Sequence, residues 1–119
     1  FWAHWCADCK LQKPILEKLH QEYADRGLAI IGPTQLFGYI GSRTNVAPSD
    51  ELAYIEGPWQ RQYPMPDWMP MPLSQRNFID FGVSTTPTLV LADRDGIVRM
   101  YHPGMMSLAE LEAAIAPLL

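Results

Sequence analysis

Phe1-Trp2-Ala3-His4-Trp5-Cys6-Ala7-Asp8-Cys9-Lys10 contains both cysteines of the chain, spaced i and i+3. A helical pattern starts immediately behind them. In the first turn of a helix, Cys6 and Cys9 share one face and lie within disulfide reach. A helix start also presents unpaired N–H groups and the positive end of the dipole. That environment favours a thiolate, the form of cysteine that attacks disulfides. The segment therefore supplies a nucleophile at Cys6 and a resolving thiol at Cys9.

Working outward, Phe1-Trp2-Ala3 reads as the tail of a buried strand whose beginning lies upstream. The helix extends from about Cys6 to Arg26, with Leu11, Ile15, Leu19 and Tyr23 as a buried stripe. Pro14 lies inside it, where a proline usually causes a kink. Gly27 is placed to stop it. Leu28 to Gly32 is short and continuously apolar, as expected of a central strand covered on both faces.

Residues 33–72 form an insertion. It holds Pro33, Pro48, Pro58, Pro64, Pro66, Pro70 and Pro72. One helix is expected from about Pro48 to Glu56, ended by Gly57-Pro58. The run from Pro64 to Pro72 is expected to be a stiff, extended surface segment. Regular structure then resumes with a short helix from Ser74 to Phe81, closed by Gly82. A strand follows at Thr88 to Ala92, a turn at Asp93 to Gly96, and a partner strand at Ile97 to Tyr101. Ser107-Leu108-Ala109-Glu110 is a capping box that opens the last helix. A strand–helix–strand start followed by a hairpin and a helix predicts an α/β domain, a mixed sheet with helices on both faces.

The 119 residues are 48% hydrophobic and carry a net charge of −4. One domain covering residues 1–119 fits that size. An acidic chain with no basic run argues against nucleic acid as a partner. No apolar stretch approaches the roughly 20 residues that span a bilayer.

The chain resembles the thioredoxin superfamily. The Trp5-Cys6-Ala7-Asp8-Cys9 motif with Pro14 in the helix behind it, and Thr85-Thr86-Pro87-Thr88 just before a strand, carry the likeness. Asp95-Gly96 and Pro103-Gly104 fall where the family's hairpin turn and following glycine stand. The insertion together with Ser84 to Pro87 is most similar to the thiol–disulfide oxidoreductases of the TlpA and ResA type. The resemblance implies a thioredoxin fold, redox chemistry at Cys6 and Cys9, and a cis peptide bond before Pro87. It implies a substrate backbone pairing with Thr86, protein thiol or disulfide substrates, and a partner redox protein that recycles the pair. It implies no cofactor beyond the Cys6–Cys9 disulfide. The location implied is extracytoplasmic and bacterial, with a membrane anchor upstream of Phe1 as one arrangement. Some members take an acid from the insertion; Glu51 and Glu56 are the candidates here.

Around the cysteines, Trp5 is expected to shield the sulfurs and meet the substrate. Asp8 opposes a thiolate at Cys6 and makes the dithiol a stronger reductant, or else merely caps the helix. His4 either tunes the site or is a solvated turn residue. Lys10 either supports the thiolate or is solvated.

The alternative function is a copper metallochaperone, in which Met65, Met69, Met71, Met105, Met106 and His102 join the cysteines as soft ligands. Against it, methionines fill apolar gaps. Trp59, Trp68 and the methionines are also readable as an exposed docking surface. A non-catalytic docking domain fits poorly with two retained cysteines. A peroxidase lacks its residue pattern before Cys6.

Overall fold

Cys6 caps the first helix. In the computed structural model, which describes residues 1–119, Cys6 has extended backbone and α1 (Ala7–Tyr23) starts behind it. The helix runs through Pro14, continues as a 3₁₀ turn (Ala24–Arg26), and stops at Gly27 with φ 101°. That left-handed conformation is open to glycine at little cost.

The buried stripe of α1 is rotated from the expected one. Leu19 is buried, and Ile15 and Tyr23 pack around it. Leu11, however, is 62% exposed, and Gln12 is buried in its place. The Gln12 side-chain amide donates to the Met106 carbonyl at 3.0 Å and accepts from the Met106 N–H at 2.9 Å. A primary amide has the donor and acceptor to pair with a peptide group, so a polar side chain occupies this core position without an unmet hydrogen bond.

Leu28 to Gly32 is not the central strand expected. Ala29 to Ile31 makes no backbone pairing, and Ile31 is 59% exposed. Pairing starts only at the end of the run. Gly32 N–H donates to Pro70 at 2.8 Å and Thr34 N–H to Pro72 at 3.0 Å, and Thr34 bridges Leu73 in parallel. An apolar run shows that a segment can be covered; a strand also needs a neighbouring backbone for its polar groups. An apolar groove of about 850 Å³ is lined by this run, by Thr88 to Ala92, and by Leu16, Leu19 and Met100.

The regular sheet is therefore a hairpin rather than a broad mixed sheet. β1 (Thr88–Ala92) pairs antiparallel with β2 (Val98–Pro103), with an irregularity between Leu91 and Ala92. The Asp93 carboxylate accepts from the Asp95 and Ile97 amides and from Arg99 Nε, which fixes the turn. Phe1 and Thr88 exchange backbone hydrogen bonds of 3.0 and 3.2 Å. On the other side, Trp2 N–H donates to Pro33 at 3.1 Å. Phe1–Trp2 thus ties the hairpin to the extended segment at Pro33–Thr34.

In the insertion, α2 (Pro48–Tyr54) does not end at Gly57-Pro58. It passes into a π turn (Ile55–Trp59) and then α3 (Gln60–Gln62). The wider hydrogen-bond spacing of a π turn makes room for a proline that has no N–H to give. Ile55 and Trp59 anchor it in a cluster with Trp2. The Trp2 and Trp59 rings stack at 4.9 Å. Trp59 is 3% exposed, so it is core and not the docking residue expected. Trp68 is half-buried and stacks on His20 at 3.7 Å.

After α4 (Gln75–Asp80), the hairpin leads to α5 (Leu108–Ile115). The Ser107–Glu110 capping box is formed in both directions. Leu111 and Ile115 close a core with Leu19 and Met106.

Candidate active site

The i, i+3 spacing brings the Cα atoms of Cys6 and Cys9 to 5.3 Å, and the two sulfurs are joined as a disulfide. Cys9 N–H donates to Cys6 Sγ at 3.1 Å. Cys6 is the N-cap of α1, so its sulfur receives one of the free amides of the helix's first turn. The Thr86 carbonyl lies 3.4 Å from Cys6 Sγ, and the Thr86–Pro87 peptide is cis. Residues 80 apart in sequence thus meet at one sulfur.

Exposure runs against the roles read from the sequence, where Cys6 is the attacking sulfur and Cys9 the resolving one. Cys6 is only 5% exposed, whereas Cys9 is partly exposed and packs on the Trp2, Ile55 and Trp59 cluster. The Thr86 loop sits against Cys6, a contact that the local sequence around the cysteines does not encode. Trp5, next to Cys6, is 44% exposed. Asp8 is exposed in the first turn. Lys10 Nζ lies 4.0 Å over the Tyr63 ring, which directs it to an aromatic face. Thr86 is half-buried, and its hydroxyl has no hydrogen-bond partner.

His4 is neither solvated nor bonded to a sulfur. It is 3% exposed, and its Nε2 lies 2.9 Å from Glu51 Oε2. Glu51 is fully buried. Its carboxylate also accepts the Phe37 N–H at 2.8 Å and the Gly38 N–H at 2.8 Å. Burial alone pushes the Glu51 carboxyl up, but the two amides and His4 outweigh it and hold the group below the ordinary carboxylate range. Glu56, the other candidate acid, is exposed.

Three of the five candidate methionines pack into two apolar clusters. Met106 joins Leu19, Leu111 and Ile115, and Met65 and Met71 pack against the Trp2 cluster. Met69 lies against Gly32. His102 Nδ1 pairs with the Gly104 carbonyl. They fill apolar space, and the copper alternative is not favoured.

Residues missed in the sequence are Gln12, Phe37 and Tyr39. Gln12 reads as a polar helix residue until its backbone partner is known. Phe37 and Tyr39 lie in a segment with no periodic pattern.

No protein-family model matches the chain. It is 26% identical over 113 residues to a thioredoxin-like protein, YneN, of Bacillus subtilis, covering 94% of this chain and 58% of that protein. It is 25% identical over 118 residues to a thiol:disulfide interchange protein, DsbE, of Xylella fastidiosa, covering 99% of this chain and 52% of that one. The chain thus spans a little over half the length of these curated relatives. Among solved structures, a putative thiol:disulfide interchange protein DsbE from Chlorobium tepidum superposes with a TM-score of 0.73 at 22% identity, over 99% of this chain and 75% of that one. The architecture is the thioredoxin-like fold.

Proposed function

We propose that the chain, which is similar to thioredoxin-like and thiol:disulfide interchange proteins, is a thioredoxin-superfamily protein of the TlpA and ResA type that exchanges disulfides with protein substrates, as a reductant, through Cys6 and Cys9. The observation that carries this is the Cys6–Cys9 bond at the start of α1, with the Cys9 amide on the Cys6 sulfur.

The cycle starts from the dithiol. Cys6 loses its proton, and the Cys9 N–H and the helix dipole stabilise the thiolate. The thiolate attacks one sulfur of a substrate disulfide; that bond breaks and the other substrate sulfur leaves as a thiolate. The Cys9 thiolate then attacks the Cys6 sulfur. The mixed disulfide breaks, the Cys6–Cys9 bond forms, and the substrate departs with two electrons. A partner redox protein returns two electrons. No group beyond the two cysteines is required.

Thr86 receives the substrate backbone beside Cys6, with Pro87 holding the loop and the exposed Trp5 ring flanking the approach. The location proposed is outside the cytoplasm of a bacterium, the protein free or held by an anchor outside these residues. No helix of the chain is long and apolar enough to cross a membrane.

Titration against glutathione tests the proposal. A reductant gives a potential near about −270 mV, and the Cys9→Ser variant accumulates mixed disulfides with protein substrates. A potential near about −120 mV reverses the direction. Absence of any thiol-linked transition, with nothing trapped, overturns the function.

A further inference from the structure

The His4–Glu51 pair sits between the cysteine motif and the insertion without touching either sulfur. Glu51 belongs to α2, His4 lies two residues before Cys6, and the amides that complete the carboxylate belong to Phe37 and Gly38. One buried side chain therefore joins three separate segments. Buried ion pairs contribute little net stability compared with apolar packing, and their best-supported use is to specify one arrangement over others.

The arrangement specified here is aromatic and lies next to Cys6. The Phe37 ring meets Trp5 edge-on at 5.3 Å and His4 at 6.1 Å. Tyr39 lies 5.9 Å from Trp5 and 6.3 Å from Phe37. Trp5 is exposed, and Phe37 and Tyr39 are half-buried. Because Cys6 itself is almost covered, a substrate sulfur reaches it only with neighbouring residues resting on what surrounds it. On the Trp5 side, that surface is uncharged aromatic ring.

Resting on the disulfide-exchange reading above, we propose that His4 and Glu51 are positioning residues for a Trp5–Phe37–Tyr39 shelf, which receives an apolar side chain next to the substrate's reactive cysteine. The shelf gives the chain a preference for protein disulfides over small ones. Removing the Glu51 carboxylate frees the Phe37 and Gly38 amides and moves the shelf, while the Cys9 N–H to Cys6 contact stays within α1.

The test compares reduction of a protein disulfide, insulin, with reduction of glutathione disulfide. In Glu51→Ala, KM for insulin rises about tenfold, while kcat and the rate on glutathione disulfide stay within about twofold. Glu51→Gln, which keeps an oxygen for the two amides, recovers most of the loss. Tyr39→Ala, at a half-buried position outside both core clusters, gives the same shift in preference and decides the matter if Glu51→Ala fails to fold. Equal losses on both substrates, or no change in Tyr39→Ala, overturn the shelf. A wild-type chain inactive on both substrates overturns instead the exchange function on which it rests.

Discussion

Gln12 and Met106 exchange two hydrogen bonds across 94 positions of sequence, inside the core. They fasten the first turns of α1 to the segment between β2 and α5. The helix that presents the disulfide is thus fixed to the far end of the fold by a polar contact as well as by the Leu19, Leu111 and Ile115 packing.

Replacing Gln12 with Leu removes both partners and leaves the Met106 amide and carbonyl buried and unpaired. The expected cost is about 2–4 kcal/mol. Denaturant unfolding measures it. A loss below about 1 kcal/mol shows that water or a backbone shift satisfies Met106 instead.

Asp8 sets a second expectation. Its exposed charge in the first turn opposes a thiolate at Cys6, so Asp8→Asn stabilises the dithiol form. The potential becomes less negative by about 10 mV, a size set by the weak coupling of exposed charges. An unchanged potential reduces Asp8 to a solvated helix residue.

Acid should weaken the fold through Glu51. Its folded pKa lies below the reference value of 4.5. The unfolded chain therefore binds the proton first as pH falls, and the stability that this group contributes is complete above pH 4.5 and lost as pH drops through the folded value. Guanidinium unfolding of wild type and Glu51→Gln across that range checks the sign. The gap between them should be widest near neutrality and narrow in acid; a constant gap removes the carboxylate from the account.

The capping box of α5 gives a more local expectation. Ser107→Ala deletes the acceptor for the Glu110 amide, at a cost of about 1 kcal/mol in unfolding free energy with little effect on disulfide exchange. A large loss of exchange activity would show that α5 controls the site more directly than its packing suggests.

Much of the site was legible because its signals are local. The Cys6–Cys9 spacing, the Gly27 stop, the Asp93–Gly96 turn and the Ser107 cap each depend on a few adjacent residues. What escaped the sequence depends on distant partners. Leu28 to Gly32 has the composition of a buried strand, yet the ladder that would define one is a property of its neighbours. Cys6 is covered by Thr86, and Gln12 is satisfied by Met106. His4 and Glu51 were each noted as candidates, but nothing in a linear reading joins positions 47 apart.

The π turn at Ile55–Trp59 sets the angular phase of the insertion. A turn of this kind carries one residue more than the α-helical repeat allows. Forcing all five residues to regular α pitch would swing everything beyond them by roughly 90° around the axis. Trp59 would then point away from Trp2 and from the His4 carbonyl that its indole now holds at 2.9 Å.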